Sequence, residues 1–210
     1  MALRDTVLGK VQKAKDQDLE LPVHVKGTLV SHMRMPALDD LHIRCVADWR
    51  ERHKHWYPTV FPYNLAGTRA WIEKQVIANP ERILFFLWTP DGELWGHLGL
   101  ATFRFDDDVA FCEIDAVMRG RADLAHGLMT PAVQALIDWA KQDIGIQRIG
   151  LRVFADNARA IKLYERLGFV HGKKIPLVYE QGDPISQWRE AKEGETPQRD
   201  FLVMELPHGT

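Results

Sequence analysis

The sequence is short of the features that mark secreted, membrane-spanning, metal-dependent or nucleic-acid-binding proteins. It has two cysteines, Cys45 and Cys112, both in apolar surroundings. That is too few for a disulfide framework and reads as two buried free thiols in a reducing cytosol. No Cys or His pair stands at a metal-ligand spacing, so no metal is expected. No apolar run approaches the length of a membrane span. The N-terminal stretch MALRDTVLGKVQKAKD lacks an apolar core long enough for a signal peptide. The expectation is a cytoplasmic protein without membrane contact. Net charge is −2 with no long basic run, which argues against nucleic acid as a partner. No internal repeat is visible.

What is present is an ordinary globular composition. The 210 residues, 46% hydrophobic and 27% charged, suit one domain with or without an extension. Residues 2–20 read as a weak helix with Leu3, Val7, Leu8 and Val11 on one face. This accessory segment, 1–21, packs on the domain or on a partner subunit, or is a loose arm; the domain proper is 22–210. Residues 22–34, PVHVKGTLVSHMR, alternate enough for one strand bent at Gly27. Pro36 to His53 reads as a helix with Leu41, Cys45, Val46 and Trp49 as its buried stripe. An aromatic, proline-rich connection, RERHKHWYPTVFPYN, leads to a second helix from about Gly67 to Asn79, with Trp71, Val76 and Ile77 inward. Arg82–Trp88, Glu93–Phe105 and Val109–Met118 are strands of an antiparallel meander, joined by turns at Pro90-Asp91-Gly92 and Asp106–Asp108.

The most informative stretch is Ala125 to Phe169. Ala132, Ala135, Leu136, Trp139 and Ala140 fall on one helical face, and Pro131 places the start of that helix near Gly127 to Thr130. Its first N–H groups have no partner within the helix and lie at the positive end of the helix dipole, which suits an anion such as phosphate. Gly127 lets a ligand approach the backbone closely. Gln147–Phe154 is a strand. Asn157 opens a second helix, whose apolar face is Ala160, Leu163, Tyr164 and Leu167, and Gly168 ends it. Val170–Tyr179 is a strand, Glu180–Arg199 a long polar loop around Trp188, and Arg199–Leu206 a final strand. A loop of that length usually covers a site or forms an interface. The order of elements predicts an α/β (α+β) fold with a mixed, mostly antiparallel sheet flanked by helices.

The run Asn157-x-x-Ala160-x-x-x-Tyr164-x-x-x-Gly168-Phe169, with the glycine-opened helix and the strand upstream of it, resembles the last motif of the GCN5-related N-acetyltransferase (GNAT) superfamily. The resemblance covers Glu93 to Val170 well and the rest loosely. It implies acetyl-CoA or another acyl-CoA as co-substrate and direct attack of a primary amine on the thioester in a ternary complex. It implies Tyr164 as proton donor to the departing thiolate; without it, Tyr164 reads as a buried helix residue with a satisfied hydroxyl. It further implies a carbonyl-binding backbone N–H near Ala116 to Met118, with Val117 and Met118 beside the cofactor. Asn157 would anchor the pantetheine arm, or simply cap its helix. The family's pyrophosphate loop reads Gln or Arg, two residues, Gly, one residue, then Gly or Ala. Here those positions are Leu124, Gly127 and Met129, so only the glycine is kept. Gly127, Leu128, Met129 and Thr130 would still offer backbone N–H groups, with Arg119, Arg121 and His126 supplying positive charge.

In that fold the segment between the first two helices walls the acceptor site, so Trp56, Tyr57, Phe61 and Tyr63 contact substrate or are merely core. Trp188 contacts substrate or a dimer partner, or anchors a surface loop. Glu113 and Asp115 point to one face of their strand. Either takes a proton from the amine, binds its cationic form, or pairs with Arg104 or Arg119. His97, in WGHLGL, is a second base candidate or a structural histidine. EIDAVMRG followed by Gly127-Leu128-Met129 resembles the branch that acylates amino sugars carried on nucleotides, which makes such a sugar the preferred acceptor. WGHLGL resembles peptide N-terminal acetyltransferases, so a protein α-amine or a small amine is the alternative. A catalytically silent acyl-CoA binder is the remaining reading. A homodimer would suit the N-terminal segment and the late loop.

Overall fold

The strand Arg82–Trp88 (β4) reads RILFFLW, an apolar run without alternation, as expected where both faces of a sheet are covered. Ile83, Phe85 and Leu87 enter one core cluster while Leu84 and Phe86 enter another on the opposite face. The computed structural model describes residues 2–106 and 108–207; the predicted acidic turn at Asp106–Asp108 therefore falls partly outside the described residues.

One face carries α1 (Ala2–Asp16) and α4 (Met129–Trp139), the latter continued by a π-helical turn over Ala140–Ile144. The other carries α2 (Asp40–Arg52) and α3 (Leu65–Ile72), the latter continued by a π-helical turn over Glu73–Ile77. Asp39 and Asn64 cap α2 and α3 by accepting from the N–H of His42 and of Gly67. Val7, Leu8, Val11 and Ala14 of α1 are buried in the larger core, and Lys15 Nζ donates to the carbonyls of Val76 and Asn79 at 2.8 and 2.6 Å. Burial lowers the Lys15 pKa to about 8, against the raising effect of Asp16.

The remaining strands are β1 (Glu20–Val25), β2 (Thr28–Arg34), β3 (Thr59–Val60), β5 (Leu94–Asp106), β6 (Val109–Arg119), β7 (Arg148–Phe154), β8 (Val170–Glu180), β9 (Ser186–Glu190) and β10 (Arg199–Glu205), with α5 (Ala158–Arg166) between β7 and β8. They form one sheet in the order β1-β2-β4-β5-β6-β7-β10-β8-β9-β3, antiparallel except for β6 with β7. This is the predicted mixed, mostly antiparallel sheet flanked by helices.

Four local expectations are corrected. Residues 22–34 are not one bent strand: Lys26 and Gly27 both take positive φ, +50° and +80°, which closes a two-residue hairpin between β1 and β2. The 180–199 stretch is not all loop: β9 lies inside it, paired to β8 and β3. Its five residues, SQWRE, are too polar to stand out from their surroundings. Leu41 and Ile77 are exposed, and Ile43 takes the inward place on α2. Cys45 is only half-buried, whereas Cys112 is fully buried. Among the described residues no helix is long and apolar enough to cross a membrane. Nor does any group of three or more His, Cys, Asp or Glu among them lie where it could hold a metal ion.

Candidate active site

The parallel pair at the middle of the sheet is incomplete. β6 and β7 are in register only at Phe111–Arg148, Cys112–Ile149 and Glu113–Gly150, although β6 runs on to Arg119 and β7 to Phe154. Beyond Glu113 each strand stays paired on its other side, β6 to β5 and β7 to β10, so a gap opens between them. At the gap β6 bulges: Ala116 has φ +52° and the register with β5 shifts between His97 and Gly99. His97 Nδ1 lies 2.6 Å from the Ala116 carbonyl. A carbonyl only accepts, so Nδ1 carries the proton. In a trans peptide the N–H points opposite the C=O, so the Val117 N–H is turned away from His97 toward the gap. His97 is fully buried, and its Nε2 has no partner among the described residues. Burial, reinforced by Arg50 and opposed by the Ala116 bond, lowers its pKa to about 3, which keeps it neutral at physiological pH.

Across the gap, α5 is fixed at both ends. Asn157 Oδ1 accepts from the Ala160 N–H at 3.2 Å. At the other end Gly168, φ +87°, lets the Phe169 N–H bond the Tyr164 carbonyl at 3.0 Å, a Schellman closure. The Phe169 and Tyr164 rings then meet edge to face, 5.8 Å apart. The two residues that end the helix therefore also hold Tyr164 in place. Tyr164 is buried, and burial, with the Asp115 charge second, pushes its phenol pKa well up.

Two cavities open on this gap. The larger, about 860 Å³, lies under the 56–71 segment and is walled by Trp56, Tyr57, Phe61, Trp71 and Trp188. The smaller, about 310 Å³, runs past Gly127, Met129 and Thr130 at the start of α4. Both are lined by Trp56, Val117, Met118, Asn157, Ala160 and Tyr164, so they meet at the gap.

The smaller groove suits an extended polyanion. The first bond of α4 runs from the Ala132 N–H to the Leu128 carbonyl, so the N–H groups of Met129 and Thr130 precede the helical ladder. Gly127 has φ +76°, and the space where a Cβ would stand is open. Met129 leans on the main core as well as lining the groove. Arg119, Arg159 and Arg166 also line it, and none of them is in an ion pair among the described residues. Arg159 and Arg166 escaped notice in the sequence, although seven residues apart they share one face of α5. Arg121 is instead tied to Asp123 and Glu93, and neither it, His126 nor Leu128 lines the groove.

In the larger cavity, Glu113 accepts from Arg152 at 2.9 Å and Arg104 at 3.2 Å, and Asp115 pairs with Arg82. Of the two arginines expected beside these carboxylates, Arg104 is present. Trp188, on β9, packs edge-on to Phe154, and its backbone N–H donates to the Pro58 carbonyl at 2.7 Å. Tyr63 does not line the cavity; its hydroxyl donates to the Thr59 carbonyl at 2.9 Å. His97 lines neither cavity. Arg50, Arg82 and Arg152 line the larger one without having been foreseen.

A family model described as an acetyltransferase (GNAT) domain matches residues 31–170. Similar solved structures include a spermidine N-acetyltransferase SpeG chimera from Vibrio cholerae and hSSAT, 18% identical over 84% of this chain and 94% of that one, TM-score 0.61. RimJ from Mycobacterium smegmatis in complex with CoA-disulfide is 14% identical over 90% and 87%, TM-score 0.64. RimL, a ribosomal L7/L12 alpha-N-protein acetyltransferase, is 15% identical over 89% and 93%, TM-score 0.63. At such identities these structures share the fold with this chain. No curated protein matches it.

Proposed function

The chain belongs to the acetyltransferase (GNAT) domain family and is an acyl-CoA-dependent N-acyltransferase; from that premise we propose that its smaller groove holds the CoA moiety and its larger cavity the amine. Acyl-CoA, when bound, supplies the activated thioester. The single observation that carries the division is that the two cavities meet at Tyr164, on the gap between β6 and β7. Backbone N–H groups of Met129 and Thr130 and the side chains of Arg119, Arg159 and Arg166 meet phosphate. Asn157 spends Oδ1 on its helix and keeps its NH2 group for the pantetheine arm.

At the gap the Val117 N–H, turned there by His97 through the Ala116 carbonyl, stabilises a developing oxyanion. His97 thus acts as a positioning residue. Tyr164 Oη gives its proton at the leaving sulfur. Burial holds the phenol protonated at working pH, and the same desolvation disfavours a free thiolate at the junction. Glu113 and Asp115 already accept from arginines, which suits them to draw in and orient the amine as its cation; the cation gives its proton to water before the neutral amine attacks, and the proton then shed by the new amide nitrogen replaces the one Tyr164 gives the sulfur.

For the acceptor, an amino sugar on a nucleotide carrier fits the size of the larger cavity and its lining of four cations, Arg50, Lys74, Arg82 and Arg152, against two carboxylates. A protein α-amine is the second reading, favoured by the fold shared with RimL, an alpha-N-protein acetyltransferase. Tyr164→Phe tests the scheme. Thiol release is expected to fall by about a hundredfold or more while acetyl-CoA affinity holds. Unchanged release would remove the proton-donor role.

A further inference from the structure

Arg50 is 4% exposed, yet it is in no ion pair among the described residues. Its guanidinium is boxed by aromatic rings instead: Tyr57 at 3.8 Å, Trp71 at 4.3 Å, Phe61 at 5.1 Å and Tyr63 at 5.2 Å from ring centre to Cζ. Ring faces stabilise the cation but accept nothing from its in-plane N–H groups; the Tyr63 hydroxyl oxygen is near enough to accept from the guanidinium, but its Nε is left over. Among the described residues Arg50 Nε has no hydrogen-bond partner, and neither has the buried Tyr57 hydroxyl or Arg82 Nε. All three residues line the larger cavity. Buried donors without acceptors are costly, and a buried charge without a counter-charge more so. The carboxylates of the same cavity cannot answer the need, since Arg82, Arg104 and Arg152 hold them.

We propose that Arg50 is a specificity residue: with the Tyr57 hydroxyl and Arg82 Nε it binds an oxyanion group, carboxylate or phosphate, carried by the acceptor amine. The planar fork of a guanidinium is the matching partner for such a group. The acceptor is accordingly a zwitterionic or anionic amine, and polyamines are excluded by the surplus of cations. This rests on the acyltransferase reading for turnover but on the cavity alone for binding.

The test uses matched pairs of amines with acetyl-CoA: α-amino acids against their carboxamides, and phosphorylated or nucleotide-linked amino sugars against the free sugars, with spermidine as the cationic control. Within at least one pair the anionic member is expected to have a KM at least about tenfold lower. Whichever pair discriminates identifies carboxylate or phosphate. Arg50→Met should erase that preference by raising KM for the anionic member alone, and Arg50→Lys should restore it in part. Calorimetry with acetyl-CoA should give wild-type affinity for both variants. If Arg50→Met does not fold, Arg50→Lys and the wild-type pairs carry the test. Binding is read separately from turnover by tryptophan fluorescence, with an N-acetylated amino acid or amino-sugar phosphate titrated against its uncharged counterpart. Selective binding of the charged form without turnover would sink the transferase assignment but keep this one. Spermidine or the neutral members serving as well as the anionic ones would overturn it.

Discussion

The two cavities differ in how they hold charge. The groove beside α4 presents Arg159 and Arg166 from the solvent-exposed face of α5, together with backbone N–H groups. The cavity under the 56–71 segment holds Arg50 and Arg82 against aromatic rings, with donors left open. Exposed charges are each worth little and are screened by salt, whereas buried ones discriminate strongly because an unmatched partner leaves them unpaired. A groove for a shared co-substrate needs only modest attraction distributed along a chain of phosphates. A cavity that chooses among amines needs the sharper device. The wall between them, the β6 bulge held by His97, serves both.

The largest effect short of chemistry is expected at that wall. The folded-state pKa of His97, about 3, lies below its ordinary value of 6.5. Between those values the unfolded chain binds a proton that the folded chain refuses. The stability from this residue is therefore full above pH 6.5 and is lost as pH falls toward 3, on the order of 1.4 kcal/mol per unit. His97→Asn keeps a donor for the Ala116 carbonyl and removes the titration. Thermal melts from pH 7 to pH 4 should show a shallower loss in the variant than in the wild type; parallel curves would mean that His97 does not carry it.

A smaller effect is expected at the mouth of the groove. Gly127→Ala adds a Cβ that meets no atom, so its cost is conformational, about 1–2 kcal/mol for holding φ positive. Acetyl-CoA KM should rise by roughly tenfold with acceptor KM unchanged. A shift in both would blur the separation of the two cavities. The smallest effect is that of Arg159→Gln with Arg166→Gln. At about 0.2–1 kcal/mol per exposed contact, it should weaken acetyl-CoA binding severalfold at low salt and less at high salt. The Arg50 discrimination should show little salt dependence by comparison.

The α4–β7–α5 unit was legible in the sequence because each boundary has its own chemical marker: Pro131, Asn157 and Gly168. The meander was legible from its turns. The acceptor side was not. Burial of Arg50 comes from four rings contributed by a connection and by α3, and nothing at positions 49–51 marks that meeting. The cation surplus likewise depends on which arginines find carboxylates, a matter of strand register: Arg82 and Asp115 are 33 residues apart, and Arg152 and Glu113 are 39 apart. The β9 strand was hidden by its polarity. The β6 bulge left no residue-type signal, since it is Ala116, and not a glycine, that takes the positive φ.

Initial rates measured while both substrates are varied test most directly whether thioester and amine meet across the gap at Tyr164. The account predicts intersecting double-reciprocal lines and an unmodified chain by intact mass after incubation with acetyl-CoA alone. Parallel lines with a covalently acetylated chain would contradict it, because the acyl group would then have passed through the protein before reaching the amine.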